Sequence, residues 1–261
     1  MKTTYKYNFK KLMTKSSALL ALILLMPLST LALDGGRTES GSNSSSAFCT
    51  NFSTESTKVS SKLIEQANKL ASAWNKQNEG FTTKTQNNDQ KVTEVRSKSD
   101  TARTKNFTTL ESKASNDAQT QAVKSYEAAV KSAISARRAS YDAAKATFRS
   151  AVQGVIDAKQ GSVSTQLASF TDAVNTAIST AQASCTATPT NGSAIRDTFK
   201  ASLKSAKSTF LSRRSSDATV GSQVKQLVVT RNAAFKAADK AFQAAMSAAR
   251  DSLKAAFTKA V

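Results

Sequence analysis

The sequence predicts an all-α protein: an elongated antiparallel helical bundle of coiled-coil character, Ala-rich, behind an N-terminal signal segment. Three observations carry this. Apolar residues recur at intervals of three and four along most of the chain, the spacing that draws one stripe on a helix. Pro occurs twice in 261 residues, at Pro27 and Pro189, so almost nothing interrupts helical backbone. The apolar positions are rich in Ala, the best helix former and small enough to let helices approach closely.

The first segment reads as an address. Lys2, Lys6, Lys10, Lys11 and Lys15 form a basic stretch without acidic residues, and Ala18 to Leu28 (ALLALILLMPL) is apolar. Thr30 and Ala32 supply the small residues of a cleavage site, so residues 1–32 are expected to be an export signal. The alternative is a retained membrane anchor over residues 17–33, but that run falls short of the roughly 20 apolar residues a spanning helix needs. Residues 33–48, rich in Gly, Ser and Asn, are expected to be a flexible linker.

Residues 49–185 are expected to form a long helical bundle. A first helix over about 54–79 carries Val59, Leu63, Ala67, Leu70 and Trp74, with Gly80 as its stop. The stretch 81–117 is polar and its apolar residues are thin, so a helix from about 88 is expected to pack weakly. The strongest stripe is Val123, Tyr126, Val130, Ile134, Arg137, Tyr141, Ala144, Phe148, Val152 and Val155. Gly161 is expected to end that helix and Ser162 to cap the next, which runs to Cys185 through Val163, Leu167, Phe170, Val174, Ile178 and Ala181. Pro189 and Gly192 mark a loop over 186–193, with Ser193 as the following cap. Residues 194–261 are expected to form a basic helical hairpin broken at Gly221. Its last helix echoes an earlier one at an offset of 94: Arg137 matches Arg231, Tyr141 matches Phe235 and Phe148 matches Phe242. Either a duplication or convergence of Ala-rich helices explains the echo.

The two cysteines are expected to pair. Export removes them from a reducing compartment, Cys49 precedes the first helix and Cys185 ends another, and antiparallel packing would bring them to one end.

Composition removes much chemistry. The chain contains no His, so no Ser-His-Asp triad, Cys-His couple or His-ligated metal is available. Two cysteines cannot make a four-thiolate zinc site. No glycine-rich phosphate loop follows a strand pattern, and no motif is specific enough to place the chain in a family. The expectation is a non-enzyme without cofactor or metal. Asn43, Asn51, Asn106 and Asn191 head N-x-S/T triplets, which matter only in a host that glycosylates Asn.

Charge points to partners. The formal net charge is +19, of which five positive charges lie in the signal. Residues 33–120 hold 12 basic and 10 acidic residues, whereas 196–261 hold 13 and 4. The candidate binding residues are Lys200, Lys204, Lys207, Arg213, Arg214, Lys225, Lys236, Lys240, Arg250 and Lys254. A surplus of this size attracts anions. The expected function is an exported structural or adhesive cell-envelope protein, secreted or at the cell surface, whose basic helices bind an anionic envelope polymer or membrane surface. Two alternatives are nucleic-acid binding of a DNA-condensing type, with extracellular nucleic acid as partner, and a membrane-active helical toxin or pore former. Helix stripes left exposed would also allow a homo-oligomer.

Overall fold

A computed structural model describes residues 44–216 and 220–258. Four α-helices account for nearly all of them: α1 (Ser44–Glu111), α2 (Asp117–Ala187), α3 (Gly192–Ser216) and α4 (Val220–Thr258), with one 3-10 turn at Pro189–Asn191. No strand occurs among the described residues. The expected all-α helical bundle is what the chain forms. The signal segment and most of the linker lie outside the described residues.

The first two helices are longer than their glycines predict. α1 runs 68 residues through Gly80, and α2 runs 71 residues through Gly154 and Gly161. Ser162 therefore lies in the interior of α2, whereas Ser193 and Gly221 are the second residues of α3 and α4. A glycine in a helix interior costs about 1 kcal/mol against Ala. Burying one Phe or Val side chain returns about 1.5–3 kcal/mol. Phe81 and Val163, flanking two of these glycines, are 7% and 1% exposed. The stripe therefore decides, and no described glycine adopts a positive φ. The helix also begins earlier than expected, at Ser44 rather than near residue 54.

The break between α1 and α2 has its own chemistry. Asn116 Oδ1 accepts from the Gln119 amide at 2.9 Å, while Gln119 Oε1 accepts from the Ser115 amide at 2.8 Å and the Ser115 hydroxyl at 2.7 Å. This reciprocal cap satisfies donors that the first turn of α2 would leave open, and it fixes where the chain reverses.

The described residues form two compact units that are discontinuous in sequence, one built from 44–80, 157–216 and 220–221, the other from 81–156 and 222–258. The expected hairpin over 194–261 is thus divided, α3 belonging to unit 1 and α4 to unit 2. Each helix buries its stripe where a matching one is available, and sequence adjacency does not supply it.

Unit 1 is a three-helix core. Phe48, Phe52, Val59 and Leu63 of α1 meet Val174, Ala177, Ile178 and Ala181 of α2 and Ile195, Phe199 and Leu203 of α3. Phe52, 2% exposed, packs edge-on against Phe199 with ring centroids 5.0 Å apart. Cys49 and Cys185 form a disulfide across α1 and α2, Cα atoms 5.3 Å apart, closing a loop of 136 residues. The pair lies beside the aromatic end of the core, as antiparallel helices require.

In unit 2 the core is thinner. Phe81 and Phe107 of α1, Val123, Val130, Phe148, Val152 and Ile156 of α2, and Val224, Ala238 and Ala249 of α4 are buried. Small residues dominate the α4 contribution, so other interactions set its register.

Two stability measurements test this description. Replacing both Cys49 and Cys185 by Ser lowers the unfolding free energy of unit 1 by up to about 5 kcal/mol, the chain-entropy value for so long a loop. Chemical denaturation followed at each unit reads the loss, and an unchanged midpoint would deny the staple a role. A Cβ added at Gly80 or Gly161 meets nothing within 4 Å. Gly80→Ala and Gly161→Ala therefore each stabilise by about 0.5–1 kcal/mol. A fall in stability on either substitution would contradict the continuous helices.

Candidate anion-binding surface

The surface of unit 2 is sorted by side-chain type. Most arginines face neighbouring helices and most lysines face solvent, with Arg250 exposed and Lys145 half-buried as exceptions. Between α1 and α2, three bidentate bridges form a ladder. Arg149 Nη1 and Nη2 donate to Asp89 at 2.6 Å each. Arg96 donates to Asp142 at 2.8 and 2.7 Å, and Arg138 to Asp100 at 2.8 and 2.7 Å. Arg103 adds a bond to Asp100 at 2.5 Å. Stepping along α1 from Asp89 to Arg96 to Asp100 matches the reverse steps along α2 from Arg149 to Asp142 to Arg138, so the register is antiparallel. The planar guanidinium fork suits such bridges, which Lys cannot make.

Between α2 and α4 the 94-residue echo becomes geometry. Tyr141 and Phe235 stack with centroids 4.2 Å apart and planes 4° from parallel. Arg137 lies over Phe242 at 5.0 Å, and Arg231 lies over Phe148 at 4.6 Å. Each arginine also covers the aromatic one turn along its own helix, at 5.2 Å for Tyr141 and 5.6 Å for Phe235. Equivalent residues thus contact one another reciprocally, as copies of one element do when packed about a local two-fold axis. One polar feature breaks the symmetry. Asp239 accepts from Arg137 Nε at 2.7 Å and from the Tyr141 hydroxyl at 2.7 Å, and its equivalent position is Lys145.

These contacts hold charge states in place. Hydrogen bonds from Arg149 keep the Asp89 carboxyl below the usual range, and those from Arg96 do the same for Asp142. Arg138 and Arg103 together hold Asp100 further below it. Burial opposes the charge on Arg137, but hydrogen bonds with Tyr141 and Asp239 outweigh it and its pKa rises. Burial, reinforced by the bond to Asp239, raises the Tyr141 hydroxyl.

Of the predicted binding residues, Lys200 and Lys204 of α3 are exposed and Lys207 is half-buried. All three lie within about 60° of one face of an ideal helix, flanking the buried Phe199, Leu203 and Ala206. The side chains of Arg213 and Arg214 lie outside the described residues. On α4, Lys225, Lys236, Lys240, Arg250 and Lys254 are all exposed. They fall within an arc of about 80° and span about 43 Å of helix axis. None of these eight described side chains makes an ion pair with a described residue. Of the two acidic residues on α4, Asp239 is turned to Arg137 and Tyr141 of α2, and Asp251 is exposed beside Arg250, accepting from the Ser247 hydroxyl at 3.4 Å.

The sequence reading missed the ladder. Its signal was present in the opposite charges at Asp89, Arg96 and Asp100, stepping by seven and four, with complementary charges at Arg149, Asp142 and Arg138. No described helix is long and apolar enough to cross a membrane, and no metal-ligating group of three forms among the described residues. Comparison with protein-family models, curated proteins and solved structures finds no match to this chain.

The ladder makes unit 2 acid-sensitive in a stated direction. Its aspartates titrate lower in the folded than in the unfolded protein. Their stabilisation is therefore complete above the unfolded carboxylate range near pH 4 and is lost as pH falls through the folded values. The melting temperature of unit 2 stays level from pH 7 to 5 and declines below pH 4, and Arg138→Gln shrinks that decline. A decline of the same size in Arg138→Gln would remove the ladder as its cause.

Proposed function

We propose that the chain is an exported, non-enzymatic structural or adhesive protein of the cell envelope. It attaches to anionic surface polymers by multivalent electrostatics through the lysines and arginines of α3 and α4. The observation that carries this reading is the exposed single-file row Lys225, Lys236, Lys240, Arg250 and Lys254, clear of ion pairs within the described residues. An ordinary solvated helix face mixes both signs, whereas this one concentrates one sign along its length.

The seam supports a polymer over a bilayer. An interfacial helix needs large apolar side chains facing outward. Phe235 and Phe242 of α4 are instead engaged by Tyr141 and Arg137 of α2. Along the basic row the one exposed large apolar side chain is Val229. The aromatics also bear on the nucleic-acid alternative, because base stacking needs free rings. Trp74 is buried, Tyr126 packs edge-on against Phe107 and Tyr141 stacks on Phe235.

Co-sedimentation of the purified chain with isolated envelope tests the reading. Binding falls at least roughly a hundredfold between 50 and 500 mM salt, as release of counterions from several charges requires. Combined replacement of Lys200, Lys204, Lys207, Lys225, Lys236, Lys240, Arg250 and Lys254 by Gln weakens it at least roughly tenfold. Strong envelope binding that persists at high salt overturns the electrostatic mechanism, and dye release from anionic vesicles would favour the membrane-active reading.

A further inference from the structure

We propose that α1 carries a second polyanion-binding row in unit 2, formed by Lys84, Lys91, Lys98 and Lys105, and that its ligand is a flexible single-chain polyanion. Regional charge conceals this row. Residues 81–111 hold six basic and four acidic residues, close to balance. The fold separates them. Asp89 and Asp100 turn to α2, where Arg149 and Arg138 bind them, and Arg96 turns the same way to Asp142. What remains on the outer face is lysine at every seventh position.

All four lysines are exposed. None forms an ion pair with a described residue, although Lys58 and Lys69 on the same helix pair with Glu55 and Glu65. Glu94 is the one acidic residue of the segment close to the row on a helical projection. On an ideal helix the four lysines lie about 120–180° from the residues that meet α2, so the row points away from that contact.

The spacing selects the ligand. Seven residues advance about 10.5 Å, and each step drifts about 20° backwards around the helix. A chain following the row must wind gently around a convex surface one charge wide. A flexible single strand does so, whereas a stiff duplex touches such a surface over a short length. An acidic helix would need an apolar seam to dock. Here the exposed large apolar side chain is Val95 alone, among Asn, Gln, Ser and Thr. The inference takes from the proposed function only that this chain binds polyanions.

Fluorescence anisotropy with a labelled 30-nucleotide thymidine strand, a single-chain phosphodiester, tests the row on the purified full chain. Replacing Lys84, Lys91, Lys98 and Lys105 by Gln weakens binding about tenfold at 50 mM salt. It also flattens the slope of log affinity against log salt by about 2–3, the share of four phosphates. Circular dichroism and an intact Cys49–Cys185 bond in the variant exclude unfolding as the cause. An unchanged slope overturns the proposal. So does tighter binding to a 30-base-pair duplex than to the single strand, or loss of binding to an acidic helical peptide while strand binding persists. If replacing the α4 row abolishes strand binding and replacing the α1 row does not, this inference falls and the proposed function stands. If the native chain binds neither the strand nor envelope at low salt, both fall.

Discussion

Unit 2 depends on the alternation of sign along its Arg–Asp ladder. Asp, Arg and Asp on α1 face Arg, Asp and Arg on α2. Sliding α2 by one heptad in one direction sets Asp89 against Asp142. Sliding it the other way sets Arg96 against Arg149. Only the observed register pairs every member. Exposed bridges of this kind contribute little to stability one by one. Their importance lies in excluding slipped packings that an Ala-rich stripe would tolerate, because small side chains interlock weakly. Apolar residues are sparsest in this same stretch of α1, so charge supplies the specificity that shape does not.

The ladder also shapes the surface. An aspartate bound by the fork of an arginine on a neighbouring helix has less to offer a lysine on its own, although Asp142 still lies 3.9 Å from Lys145. Asp89, Asp100 and Asp239 are all committed in this way. The protein therefore presents lysine-rich outer faces even where the linear tally of charge is nearly even. Arginine and lysine divide the work by their chemistry. The forked, weakly hydrated guanidinium suits partly buried pairing and stacking on rings, whereas the strongly hydrated ammonium suits a solvated contact with a mobile polymer.

Much of this was legible in the chain. Helical class followed from the three-and-four periodicity and the near absence of Pro. The disulfide followed from the positions of Cys49 and Cys185 at corresponding ends of antiparallel helices. The boundaries did not follow, because Gly80 and Gly161 carry a local cost that tertiary burial of neighbours such as Phe81 and Val163 outweighs. The partition of α3 and α4 between units was also illegible, since neighbouring stripes resemble each other and only packing selects the partner. Lysine orientation was half legible. Helical projection placed the α4 row, but the α1 row emerged only after the aspartates beside it were assigned to α2.

The reciprocal seam between α2 and α4 has a last consequence. A self-complementary helix face ordinarily joins two separate molecules, and such a pair comes apart on dilution. Here the two faces belong to one polypeptide, so their encounter is intramolecular and its effective concentration is set by the connecting chain. The pairing of Tyr141 with Phe235 persists however few molecules are present, and the protein obtains the geometry of a dimer without needing a second copy to find.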